Sequence, residues 1–380
     1  MTAQNGTDGG GGDFAGGGAG GGGPWERVPA KVHEDLWEAL RQGDEYTASG
    51  VVLDAVDAGV SVEDVLLGLI APVQERIGAE WAANRITVAQ EHTATAVNER
   101  VMAALAHHPA YRPPPPHRGR ITVACVDGEW HSLPARLVAE VLRRRGWEVG
   151  FLGAHVPTPH LVADLHASAP RAVALSCSMP RHLPTAHRVV AACQAAGFPV
   201  LAGGRAFGPD GRHARTLGAD GWAPNAQGAA EVLESGLAGS LPRPAHRPVD
   251  DLPHLADQEY TTVTRARQRL VRETLAALED RFPPMRAYSD VQRDRTAEDV
   301  AHVVDHLAAA VYVDDDVLFS GFISWTADVL TARGVPALSL DPTLDLLAAG
   351  LPDATPRARR ILAAGRAELT AGPWPHPTTT

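Results

Sequence analysis

Lysine is nearly absent: Lys31 is the one lysine among 34 basic residues, and 45 carboxylates leave the 380-residue chain at a formal charge of −11. Such a chain has no broad basic face for a phosphate backbone, so direct nucleic-acid binding is not expected. Cysteine is scarce too. Cys125, Cys177 and Cys193 are an odd number, have no metal-ligand spacing and lie in or beside apolar runs. That argues against a disulfide framework and for buried thiols in a reducing, cytoplasmic compartment. No apolar run approaches the roughly 20 residues of a membrane helix, and the start shows no charged-then-apolar signal segment.

What is present is a hydrophobic fraction of 44%, ordinary for a globular protein, over a length that implies two or three domains. Residues 1–24 are almost all glycine and are expected to form a disordered tail, since they carry too little apolar surface to offset ordering entropy. Residues 25–112 show helical periodicity, clearest in Val62, Val65, Leu66, Leu69, Ile70, Val73 and Ile77. Ser61-Val-Glu-Asp64 and Thr87-Val-Ala-Gln90 read as helix starts. With helices near Val32–Arg41 and Tyr46–Ala58, the count suggests a four-helix bundle.

Pro113–Pro116 mark a linker. Residues 118–240 then alternate strand and helix, with strands at Ile121–Val126, Glu148–Leu152, Ala172–Cys177 and Val200–Ala202 and helices between and after them. This predicts a doubly wound, Rossmann-like (flavodoxin-like) sheet of about five strands, with its ligand site at the carboxyl ends. A proline-bearing linker is expected over 241–254. Residues 255–375 read as helices throughout, a separate all-α domain. The fold class expected is therefore multidomain, α and α/β.

Three motifs follow strands of the α/β domain: Glu129-Trp130-His131-Ser132-Leu133-Pro134, Ser176-Cys177-Ser178 and Gly203-Gly204. In this order the domain resembles the cobalamin-binding domain family, whose signature is Asp-x-His-x-x-Gly, Ser-x-Leu and Gly-Gly. The resemblance implies that His131 replaces the cofactor's own benzimidazole as lower cobalt ligand. It further implies that Ser176 meets the displaced nucleotide tail and that the backbone at Gly203 and Gly204 approaches it closely. Trp130, Ser132, Leu133 and Ser178 flank these positions and are expected to contact the cofactor. Imidazole suits cobalt, and Glu129, two residues earlier, can accept the other ring N–H and fix the tautomer. Glu129 in place of Asp and Pro134 in place of Gly depart from the family pattern.

In the bundle, Trp81 is followed after nine residues by Glu91-His92. This resembles the Trp-x9-Glu-His signature of light-responsive adenosylcobalamin photoreceptors, known as repressors of carotenoid genes, in which the bundle caps the upper corrin face. Glu91 and His92 fall in the first turn of their helix, where the dipole favours the carboxylate and opposes imidazole protonation. Those repressors have a histidine after the tryptophan; here Ala82 stands there, so light-state ligation by that route is not expected. They also carry an amino-terminal DNA-binding domain where this sequence has its glycine tract. Output is expected through the third domain, through homo-oligomer changes or through a downstream effector protein.

Around Glu298–Leu307 and Phe319–Trp325, the last domain resembles the globin-like sensor domain of photocobilins, which pair cobalamin with biliverdin. Tyr260, Arg286, Tyr288, His302, His306, Tyr312, Phe322 and Trp325 are the candidates to line a non-covalent bilin slot; no cysteine lies there to form a thioether. Read residue by residue, the aromatics suit an ordinary core and the histidines a surface, and a heme held by His302 or His306 is the other chemical option. The expectation is a non-enzymatic light sensor using adenosylcobalamin, with biliverdin as second chromophore. The alternative is a corrinoid methyl carrier of a methyltransferase system.

Overall fold

The computed structural model describes residues 28–237 and 252–374. The expected glycine tail and most of the 241–254 linker lie outside the described residues. Two compact units emerge: residues 28–81 with 86–237, and residues 252–374 with Ala82–Arg85.

In the first unit, helices α1 (Ala30–Gln42), α2 (Glu45–Asp57), α3 (Val62–Val65), α4 (Ala71–Ala82) and α5 (Val88–Leu105) surround one apolar core containing Leu36, Leu40, Val52, Leu66, Leu69, Ile77, Val101 and Leu105. Both expected helix starts are present. Ser61 accepts from Asp64 N at 3.0 Å, and Thr87 and Gln90 form a reciprocal capping box. The periodic run from Val62 is not one regular helix, however. Leu66–Ile70 form a π-helical turn joining α3 to α4, so five helical segments make four rods.

The α/β part holds five parallel strands: β1 (Arg120–Cys125), β2 (Glu148–Gly153), β3 (Ala172–Ser176), β4 (Val200–Gly203) and β5 (Gly221–Ala223). Their order is β2-β1-β3-β4-β5, so the strand order reverses between β1 and β3. The short β5 and the helix α9 (Arg212–Thr216) carry too few periodic residues to stand out in the sequence. Helices α6 (Ser132–Arg144), α7 (Thr158–Ser168), α8 (Leu183–Ala195) and α10 (Ala226–Ser235) complete the domain.

Bundle and sheet share side chains. Leu133 and Leu137, four apart on α6, are buried in the bundle core, while Leu67 packs against the sheet's own core. Tyr111, just after the bundle, buries its ring and donates to Glu140 on α6. A methylene-rich interface reinforced by a buried hydrogen bond makes the two parts one body.

The second unit is all-helical: α11 (Glu259–Arg281), α12 (Asp290–Val313), α13 (Asp316–Ala332), α14 (Leu340–Gly350) and α15 (Pro356–Ala371). Thr355 gives α15 no side-chain cap; the buried Glu259 carboxylate accepts instead from Arg357 N (3.1 Å) and Ala358 N (2.9 Å). Among the described residues no helix is long and apolar enough to cross a membrane.

Candidate functional site

The β1–α6 loop lies at the reversal point of the sheet, and its chemistry is organised by one buried carboxylate. Glu129 is fully buried and accepts four hydrogen bonds: from His131 Nδ1 (2.5 Å), His131 N (3.0 Å), Ser178 N (2.7 Å) and Met179 N (3.0 Å). Burial pushes this carboxyl up, but the His131 ring and the surrounding amides outweigh it and bring it down to about 2. The Glu129 hydrogen bond in turn raises the His131 pKa against the opposing effect of burial, with the charges of Glu129 and then Glu91 adding to it. His131 therefore has its Nδ1 committed and its tautomer set. Its side chain remains 41% exposed, which leaves Nε2 to face a ligand.

The neighbouring loop is clipped to this one. Gly128, at φ +87°, donates its N–H to His155 Nδ1 (2.9 Å), and His155 N donates to Glu129 O (2.8 Å). Trp130 is largely exposed and stacks on the His155 ring, with centroids 4.8 Å apart and planes 11° from parallel. Ser132 donates to Glu99 of α5 at 2.8 Å, while Leu133 turns into the bundle core. Sheet register puts Cys125, Ser176 and Gly203 in one row at the carboxyl rim. The Ser176 side chain is nearly buried. Ser178 acts through its backbone N–H on Glu129. Gly204 adopts φ +101°, and a Cβ there would sit 2.3 Å from Cys177 O. Its first requirement is thus the close approach of the β3 loop backbone, whereas at Gly203 a Cβ would only graze Ala223 O at 3.4 Å.

On the bundle, Glu91 and His92 occupy the start of α5 as expected. Glu91 Oε2 lies 2.6 Å from His92 Nδ1, and Oε1 accepts from Thr95 at 3.0 Å. Glu91 is close enough to bear on the charge of His131, so α5 and the β1–α6 loop face each other. Trp81 ends α4 half-buried against the bundle core.

Comparison with known proteins fits this geometry. Residues 119–231 match the B12 binding domain family, and residues 32–106 match a second B12 binding domain family. The chain carries B12-binding domains. The Myxococcus xanthus HTH-type transcriptional repressor CarA is 30% identical over 184 residues, 46% of this chain and 58% of that protein. The repressor CarH of the same organism is 29% identical over 185 residues, 47% and 60%. The chain thus spans about three fifths of the length of these curated relatives. Among solved structures, the Methanosarcina barkeri monomethylamine corrinoid protein is 18% identical, with 55% of this chain and 99% of that one covered at a TM-score of 0.49.

The residues of the B12-binding domain suit the cofactor. A cobalt already held by a corrin needs one axial protein nitrogen, and a half-exposed His131 with Nδ1 committed to a buried carboxylate has the chemistry for that role. Among the described residues no cluster of three or more metal-binding side chains occurs. The thiols near the site stay protonated: burial, aided by the Glu129 charge, pushes Cys125 up to about 12. Sequence reasoning missed His155 and the Ser178 and Met179 amides. Backbone donors leave no trace in residue type, and His155 lies 24 residues after His131, outside the motif.

The bilin candidates all lie in the helical second unit. They fall into packed groups rather than around an open slot: Tyr260 meets Tyr312 edge-on at 4.8 Å, and His306 stacks on Phe322 at 3.7 Å with Trp325 beside it. His306 is buried and its Nδ1 donates to His302 O at 2.9 Å. Arg286 is exposed and paired with Asp280, and Tyr288 is half-buried at the turn before α12. A crevice of about 250 Å³ between α11 and α14 is lined by Leu270, Glu273, Thr274, Ala277, Leu346, Ala349 and Gly350, none of them candidates. In this arrangement these aromatics pack on one another.

Proposed function

We propose that this protein is a light sensor, not an enzyme, that holds adenosylcobalamin between His131 below and the α4–α5 cap above. The observation that carries the proposal is the His131–Glu129 pair at the reversal point of the sheet, with Nε2 exposed and Nδ1 bound to a fully buried carboxylate. Bound adenosylcobalamin supplies a cobalt–carbon bond that green light breaks. His131 would hold the cobalt through Nε2, Glu129 fixes the imidazole through Nδ1, and Ser176 would meet the nucleotide tail. Trp81, Glu91 and His92 would pack against the adenosyl group, and without it the cap they form would lose a packing partner and shift, altering assembly with further copies of the chain or with an effector. The Trp81-x9-Glu91-His92 spacing supports the adenosyl form and the light response. Biliverdin as a second chromophore rests on the resemblance of residues 298–325 to globin-like sensors, and no step is derived through it.

The test is an absorption spectrum of protein loaded in the dark with adenosylcobalamin and offered biliverdin, taken before and after green light, with size-exclusion chromatography of both states. A photolysis change with a shifted elution volume is the expected result. A light-inert cobalamin band with preference for methylcobalamin would replace this reading with a corrinoid methyl carrier, and absence of a red-absorbing band would remove the bilin.

A further inference from the structure

The bundle core contains a polar residue that packing alone does not explain. Asn98 on α5 is completely buried between the apolar positions Val97, Val101 and Met102, and its Oδ1 has no hydrogen-bond partner among the described residues. A leucine would fill a similar volume without burying an amide, so an asparagine here weakens the core. Its Nδ2, however, begins a chain of donors. Asn98 Nδ2 donates to Gln74 Oε1 (2.9 Å), Gln74 Nε2 donates to Thr95 Oγ1 (2.8 Å), and the Thr95 hydroxyl donates to Glu91 Oε1 (3.0 Å). Each link points the same way, from the core to the Glu91 carboxylate, and joins α4 to α5.

We propose that Asn98, Gln74 and Thr95 form a relay that orients the Glu91 carboxylate and thereby sets the preference of the upper cobalamin face for an adenosyl over a methyl ligand. The proposal rests on the reading above that Glu91 faces the upper ligand. Thr95 and His92 occupy one lone pair on each Glu91 oxygen, and the remaining lone pairs are held in a fixed direction. A ribose presents hydroxyl donors to such a carboxylate, whereas a methyl group presents none and leaves those remaining lone pairs without a ligand donor. With Thr95 silent, Glu91 is free to swing toward water and the two ligands cost it the same. Asn98 belongs to the relay because it fixes the Gln74 amide the right way round, with its oxygen toward Asn98 and its nitrogen toward Thr95.

The experiment measures dissociation constants of the full chain in the dark for adenosylcobalamin, methylcobalamin and hydroxocobalamin, alongside thermal melting. For Thr95→Val, adenosylcobalamin binding should weaken about tenfold, the loss of one oriented charge-assisted contact. Methylcobalamin and hydroxocobalamin should be unchanged, and Thr95→Ser should restore the wild-type ratio. Asn98→Leu should melt higher than wild type while losing part of the adenosyl preference, a combination that a purely structural role does not produce. If both Thr95→Val and Asn98→Leu keep the wild-type ratio of adenosyl to methyl affinity, the relay is overturned. If the wild-type protein itself shows no adenosyl preference, the proposed function fails and the relay with it.

Discussion

Two histidines, one in each unit, begin with the same local device and end in opposite states. His131 and His306 each commit Nδ1 to an oxygen, the Glu129 carboxylate in one case and the His302 carbonyl in the other. Around His131 the ring stays 41% exposed over a buried anion that also accepts from two amides of a second loop. Around His306 the ring lies flat on Phe322 at 3.7 Å inside a core. Fixing a tautomer therefore does not make a ligand site. What separates the two is whether the remaining face is given to solvent or to another side chain, and whether the anchoring oxygen carries a charge worth protecting.

The sharpest break of this comparison is His131→Ala, which should abolish the base-off, histidine-on absorption and electron-spin signatures of bound cobalamin altogether; an unchanged spectrum would end the ligand assignment. Next in size, Gly204→Ala should cost more than about 3 kcal/mol in chemical denaturation, because a Cβ has to displace the Cys177 backbone at a left-handed φ. Glu129→Gln should weaken cobalamin about 10–100-fold in equilibrium binding, since an amide cannot accept from the ring and from both loop amides at once.

A smaller effect is expected from pH, with affinity and apo stability running in opposite directions. Ligation needs His131 neutral at Nε2, so binding weakens as pH falls through a His131 pKa raised above the ordinary 6.5. The contribution of His131 to apo stability, by contrast, is full below 6.5 and disappears as pH rises through that raised value, while the contribution of Glu129 is full above 4.5 and fades as pH falls toward 2. Thermal melts and cobalamin titrations across pH 5 to 8 separate the two trends. The smallest effect belongs to His306→Phe, which keeps a flat ring on Phe322 and should shift stability by less than about 1.5 kcal/mol. A larger loss would mean that the His306 nitrogens do more than pack.

The α/β domain was legible because each of its strands is bounded by turn residues and its site motifs sit at strand ends. His131, Ser176 and Gly203 could be placed from that alternation alone, and β1, β3 and β4 bring their loops to one rim. At Gly204 the structure adds a constraint that the sequence does not show, the close approach of the Cys177 backbone. In the C-terminal helices, the boundaries could be followed from periodicity, but an aromatic at helical spacing reads the same whether it lines a slot or fills one. Phe322 and Trp325, three apart, show how the pattern fails: the partner across the gap decides, and that partner lies on another helix. The stripe of Glu91, Thr95 and Asn98 was present at helical spacing, yet Gln74 on a different helix supplies the link that gives it direction.

The π-helical turn at Leu66–Ile70 acts as a phase shifter within a single rod. Ala71 N–H reaches back five residues to Leu66 O, so one extra residue is accommodated without a break. Each residue of an α-helix advances about 100° around its axis, and the wide turn absorbs that advance before α4 begins. Upstream of it, Leu67 is keyed to the sheet core; downstream, Gln74 and Trp81 are keyed to α5 and the bundle core. Deleting one residue from this turn would return it to plain α-helical winding with both flanks still in phase, whereas a further inserted residue would rotate Gln74 away from Thr95 and Trp81 away from its seat. The turn thus marks where this rod can lose a residue: a single-residue gap between Leu66 and Ile70 should be better tolerated than a single-residue insertion there.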